Sequence, residues 1–152
     1  MPQPRFPAWV VLADEGLARV LMLRREGHDL EPVDELRDAA AHARNADLRR
    51  DAHGRRAAGG ASANSTESAG EEKLDHEAES FARTLADYLA RAAREGRYAR
   101  LIIACAPRFL GRLRKQLDPQ VGARIERTLD KDLLQLDRRT LTEKFFPPEE
   151  AA

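Results

Sequence analysis

Two arginine-rich stretches carry the chemistry this chain is best equipped for. The first holds Arg44, Arg49, Arg50, His53, Arg55 and Arg56, opposed only by Asp47 and Asp51; the second holds Arg108, Arg112, Arg114 and Lys115. A guanidinium presents a planar fork of donors that matches phosphate oxygens bidentately. If the two stretches faced the same way they would form a phosphate-tracking patch suited to RNA. Between them lies Gly59-Gly60-Ala61, a Gly-Gly pair in a Gly/Ala-rich run. The competing reading of the same residues is a solvated, arginine-heavy surface with a flexible Gly/Ala filler.

Other chemistries find less support. His28, His42, His53 and His76 are scattered and no ligand spacing recurs, so no metal and no cofactor is expected. The single cysteine, Cys105, lies inside the apolar run Leu101-Ile-Ile-Ala-Cys105, which predicts a packed thiol and excludes an internal disulfide. Asp14 sits where a strand ends and is read as a turn former accepting N–H bonds beside Gly16. Trp9 and Phe109 are read as core anchors.

The elements that position these residues follow from patterning. Trp9-Val-Val-Leu-Ala-Asp14 reads as a buried strand, Asp14-Glu-Gly16 as a hairpin turn with positive φ at Gly16, and Leu17–Leu23 as the second strand. Leu30–Leu36 alternates loosely and contains Pro32, which cannot donate to a ladder and belongs on an edge. From Arg37 to Lys73 Leu48 is the lone large apolar side chain, which predicts a long mobile loop open to early proteolytic cutting. Leu74–Glu95 regains helical periodicity through Phe81, Leu85, Tyr88, Leu89 and Ala92, with Asp75 as N-cap and Gly96 as terminator. Strand Leu101–Cys105 feeds helix Phe109–Leu117 through Ala106-Pro107. Val121–Asp132 suits either a strand or a helix. Asp137–Phe145 reads as a capped helix stopped by Pro147-Pro148, with residues 147–152 a frayed tail. The sum is an α/β or α+β sandwich: one mixed sheet of four to five strands opening with a β-meander, flanked by helices, in a single domain over residues 1–152.

Lys+Arg 26 against Asp+Glu 26 leaves no net charge, so no global field steers the protein to nucleic acid or to an anionic membrane, and any such binding must be local. Charged residues make up 34% of the chain, and the mean hydropathy is −0.61. No apolar run approaches the ~20 residues of a membrane span, and the opening Met-Pro-Gln-Pro-Arg-Phe-Pro is not the pattern of a secretion signal. A cytoplasmic protein without membrane insertion is expected.

Trp9-Val-Val-Leu-Ala-Asp-Glu-Gly-Leu-Ala-Arg-Val20, Phe81-Ala-Arg-Thr-Leu-Ala-Asp-Tyr-Leu89, Leu101 through Leu113 with its Ala-Pro-Arg-Phe-Leu-Gly core, and Leu129-Asp-Lys-Asp-Leu133 together resemble the bacterial host-attachment protein family. That family is in turn similar to the middle domain of archaeal and eukaryotic class-1 peptide chain release factors, an α/β domain with a long loop before a long helix. The resemblance implies that Gly59-Gly60-Ala61 corresponds to the Gly-Gly-Gln of release factors, with Ala61 in place of the glutamine that helps position water against peptidyl-tRNA. It therefore implies a non-enzymatic module associated with RNA, tRNA or the ribosome. The alternatives are a protein-partner-binding factor that contributes indirectly to attachment, and a peptidyl-tRNA hydrolase, which Ala61 disfavours.

Overall fold

The computed structural model describes residues 4–38 and 63–148. Five strands, β1 (Ala8–Ala13), β2 (Leu17–Leu23), β3 (Glu31–Arg37), β4 (Arg100–Cys105) and β5 (Ile125–Leu129), form one sheet in the order β3-β2-β1-β4-β5. Among the described residues four helices accompany them: α1 (Ala63–Arg94), α2 (Pro107–Gln116), α3 (Pro119–Gly122) and α4 (Arg138–Phe145). The fold is a mixed α+β sandwich, as the patterning implies.

The opening hairpins pair antiparallel, whereas β4 and β5 each join by a helical crossover and run parallel to β1. All six residues of β1 are buried, because helices cover both faces of the central strand. One core layer gathers Trp9, Val11, Val20, Leu101, Ile103 and Cys105 under α1, α2 and α3. The other gathers Val10, Leu12, Leu21, Leu23 and Ile102 under Leu30, Leu134, Leu141 and Phe145. Arg19 holds the irregular chain before α4 to the sheet, donating from Nη1 to the Leu134 and Leu136 carbonyl oxygens at 2.7 and 2.9 Å.

Local signals place most boundaries. Asp14 Oδ1 accepts from the N–H groups of Gly16 and Leu17 at 2.8 and 2.9 Å. Asp137 caps α4 by accepting from Thr140 N at 2.8 Å, and Gly96 ends α1 with φ +70°. Pro32 lies on edge strand β3, where its missing N–H costs no central ladder bond. The Val121–Asp132 ambiguity resolves into both forms: Val121 is buried on α3, and Ile125–Leu129 takes the free edge of β4.

Three expectations are corrected. The first is Gly16, since the left-handed glycines among the described residues are Gly27 and Gly96. The Asp14 carboxylate organises that turn without needing positive φ. Second, the long helix begins at Ala63, so the C-terminal part of the 37–73 stretch is helical. Once the Ala78–Ala93 portion is fixed by core packing, each added residue upstream gains a ladder hydrogen bond without a new nucleus, and apolar side chains are not required. Third, Asp75 is therefore a mid-helix residue and not an N-cap.

Candidate nucleic-acid interface

The parallel relation of β1, β3, β4 and β5 brings their carboxyl ends to one edge of the sheet. Ala106-Pro107 turns the chain there, and α2 starts at once with proline in its first turn. The Asp14 turn lies beside it, since Ala106 N donates to Ala13 O at 3.1 Å. Strand β3 leaves the sheet at this edge, where Asp38 N donates to Gly16 O at 3.0 Å.

Helix α1 returns toward the opposite edge and delivers the chain to Arg100, which pairs with Ala8 at the amino end of β1. Its 32 residues are roughly 48 Å long at 1.5 Å each, well over twice the roughly 20 Å of a six-residue strand. From Gly70 onward, the first buried residue is Ala78. The earlier turns therefore overhang the carboxyl edge, and Leu74 on them is 39% exposed.

The four basic residues of α2 do not share one role. Arg108 and Lys115 are exposed, seven residues apart on one side of the helix, and carry no ion pair among the described residues. Arg114 Nη2 donates to Thr128 Oγ1 on β5 at 2.8 Å. Arg112 is turned onto α1: Nη2 meets Asp75 Oδ1 and Nη1 meets Glu79 Oε1, both at 2.9 Å. Its side chain is 14% exposed, and its Nε is buried without a partner. Of the acidic partners, one turn apart on α1, Asp75 reads from the sequence only as a cap and Glu79 has no reading at all, although their i, i+4 spacing signals a shared face.

Arg44, Arg49, Arg50, His53, Arg55, Arg56, Gly59, Gly60 and Ala61 lie outside the described residues. Cys105 is fully buried, and burial pushes its thiol up to about 12. Among the described residues, no group of three or more His, Cys, Asp or Glu side chains could hold a metal ion. No helix among them is long and apolar enough to cross a membrane.

The Arg112 clasp has a measurable role. Glu79 and Asp75 are 37% and 60% exposed, so each ion pair is screened and contributes under about 1 kcal/mol. With the packing of the arginine stem removed as well, Arg112→Ala should cost about 1–2 kcal/mol in urea unfolding, against under about 1 kcal/mol for Asp75→Asn. A double-mutant cycle between positions 112 and 79 giving zero coupling would show the clasp to be idle.

No curated protein sequence matches the chain. A crystal structure of the archaeal translation termination factor aRF1 is similar in fold, with 13% identity and a TM-score of 0.49, covering 86% of this chain and 32% of that one. The chain thus spans about a third of that protein's length. A family model described as "protein required for attachment to host cells" matches residues 9–144, which takes in every strand but the first residue of β1 and all four helices but the last residue of α4. The chain belongs to the family of proteins required for attachment to host cells.

Proposed function

We propose that this family member is a non-enzymatic module that associates with RNA, in particular tRNA or the ribosome, through the carboxyl edge of its sheet. Its part in attachment to host cells is then indirect. The observation that supports this reading is a juxtaposition. The stretch carrying Arg49, Arg50, His53, Arg55 and Arg56 follows β3 in the sequence, and β3 ends at this edge, where Arg108 stands exposed on the first turn of α2. Lys115 extends the basic side of that helix, while Arg112 and Arg114 stabilise the platform beneath it. On a chain with no net charge, such a patch confers attraction at one end only. Ala61 provides no side-chain amide to position water, so Gly59-Gly60 serves backbone approach and not hydrolysis.

The test is filter binding of tRNA and of ribosomes at low salt. Replacing Arg49, Arg50, Arg55 and Arg56 together by alanine should weaken binding at least tenfold, and flatten the log–log salt slope by about 0.7–0.9 for each phosphate no longer neutralised. Arg108→Ala should act in the same direction and more weakly. Gly59→Ala with Gly60→Ala should matter less than the charge changes. Peptidyl-tRNA turnover appearing on the ribosome in Ala61→Gln would restore the hydrolase reading. No affinity for tRNA, bulk RNA or ribosomes would leave a protein-partner-binding factor as the function.

A further inference from the structure

At the end of the sheet opposite Arg108, a cavity of about 640 Å³ opens beside the amino ends of β1 and β4. That is within the roughly 300–1,000 Å³ of small-ligand sites. Leu23, Ile102 and Phe145, each under a tenth exposed, supply an apolar floor, and Phe6 and Phe146 stand around it.

Arg100 builds this site. Its guanidinium lies 5.1 Å from the Phe6 ring centre and 5.5 Å from that of Phe146, bracing the two aromatic walls. Its Nε donates to Arg5 O at 2.8 Å, and its Nη1 donates to both Glu126 carboxylate oxygens at 3.0 and 2.8 Å. Arg100 and Glu126 thus neutralise each other, as do Arg139 and Glu143 at 3.7 Å.

Apart from His28, two cations and two anions then remain on the lining, Arg5 and Arg127 against Glu26 and Asp29. Arg5 lies centrally, just before β1, and the other three are sorted by position. Glu26 and Asp29 occupy the turn between β2 and β3, while Arg127 lies on β5, its guanidinium 5.7 Å from the Phe145 ring centre and without a hydrogen bond among the described residues. In the order β2-β1-β4-β5 these ends are three strand spacings apart, roughly 14 Å. A phosphate-bearing ligand would meet repulsion at the Glu26 and Asp29 end, and a plain apolar ligand would leave both ends unused.

We infer that this cavity binds a short apolar peptide with free termini. The α-ammonium lies toward Glu26 and Asp29, the α-carboxylate toward the Arg127 fork, and the side chains on the Leu23, Ile102 and Phe145 floor. Four extended residues span roughly 13–14 Å, which matches the separation of the two charged ends. The inference does not depend on RNA binding, which belongs to the other edge of the sheet.

The probe is tetra-leucine, titrated calorimetrically beside its C-terminal amide, its N-acetyl form and free leucine. Arg127, Glu26 and Asp29 are exposed, so their replacement leaves the core intact. The free peptide should bind at millimolar Kd or better, and amidation should weaken it about tenfold, the loss of one charge-assisted pair. In Arg127→Ala the free and amidated peptides should bind alike. In the Glu26→Gln, Asp29→Asn double variant the free and acetylated peptides should bind alike. An absence of binding at millimolar peptide overturns the assignment, as does an amidation penalty that persists in Arg127→Ala or free leucine binding as tightly as the peptide.

Discussion

Trp9→Ala is expected to remove about 3–5 kcal/mol of stability, the range for truncating a large buried aromatic. Domains of this size have about 5–15 kcal/mol in total, so the variant should be partly unfolded near physiological temperature. Trp9 is 1% exposed on the central strand. Its ring centre lies 4.8 Å from that of Tyr98 and 6.0 Å from that of Tyr88, and the Arg97 guanidinium sits 5.1 Å from the ring centre. Removing the indole leaves a void that β1, paired on both sides, cannot collapse to fill. The Nε1 donor of Trp9 is buried without a partner, so Trp9→Phe should cost markedly less, because the orphaned N–H leaves with the pyrrole ring. Urea unfolding followed by circular dichroism measures both, the chain having no second tryptophan for fluorescence. A loss below about 1 kcal/mol for Trp9→Ala would mean the cluster is not a packing anchor.

The second large effect is alkaline. Burial pushes the Cys105 thiol up to about 12, and burial likewise pushes Tyr98 up to about 12, where its hydroxyl donates to Leu89 O at 2.8 Å. Both groups are neutral at pH 7 whether the chain is folded or not, so their contribution is fully present there. Above roughly pH 8.5 the unfolded chain releases the thiol proton while the folded chain keeps it. Stability therefore falls as pH rises from about 8.5 toward 12, by about 4 kcal/mol for Cys105 at the end of that window. Tyr98 adds to the loss from roughly pH 10. Cys105→Ala should flatten the lower part of this limb in urea unfolding at pH 7, 9.5 and 11. Wild type and variant losing stability in parallel would sink the assignment to Cys105. The same burial predicts that a thiol reagent at pH 8 labels the folded chain about a thousandfold more slowly than the denatured one. Rapid labelling of native protein would reopen a nucleophilic role.

Much of the scaffold is legible one short window at a time. The apolar runs of β1 and β4, the edge position imposed by Pro32, the Asp14 turn and the Asp137 cap need no distant partner to be recognised. Their causes are a missing N–H, a carboxylate two or three residues from the N–H groups it accepts from, or an unbroken apolar run. The basic residues of α2 are legible as a cluster too, though not their division of labour. Asp75 shows the limit. Its place just ahead of the Phe81–Ala92 stripe suggests a cap, yet it lies mid-helix and meets Arg112 from 37 positions away. The cavity is a stronger case, since Phe6, Arg100, Arg127 and Phe146 have no spacing that relates them.

By itself, then, the sequence determined the mixed sheet, its central buried strands, the helix that follows β4 and the family to which the chain belongs. These rest on hydrophobic period, turn chemistry and ordered motifs, which act within a few residues of themselves. Only the tertiary structure decided that Val121 and Ile125 enter different elements, that α1 begins at Ala63, that Arg112 is held by acids while Arg108 is not, and that opposite charges line two ends of one cavity. Each of those outcomes depends on which strand edge or helix face is available once the chain has crossed over, and a crossover joins residues that no local pattern links.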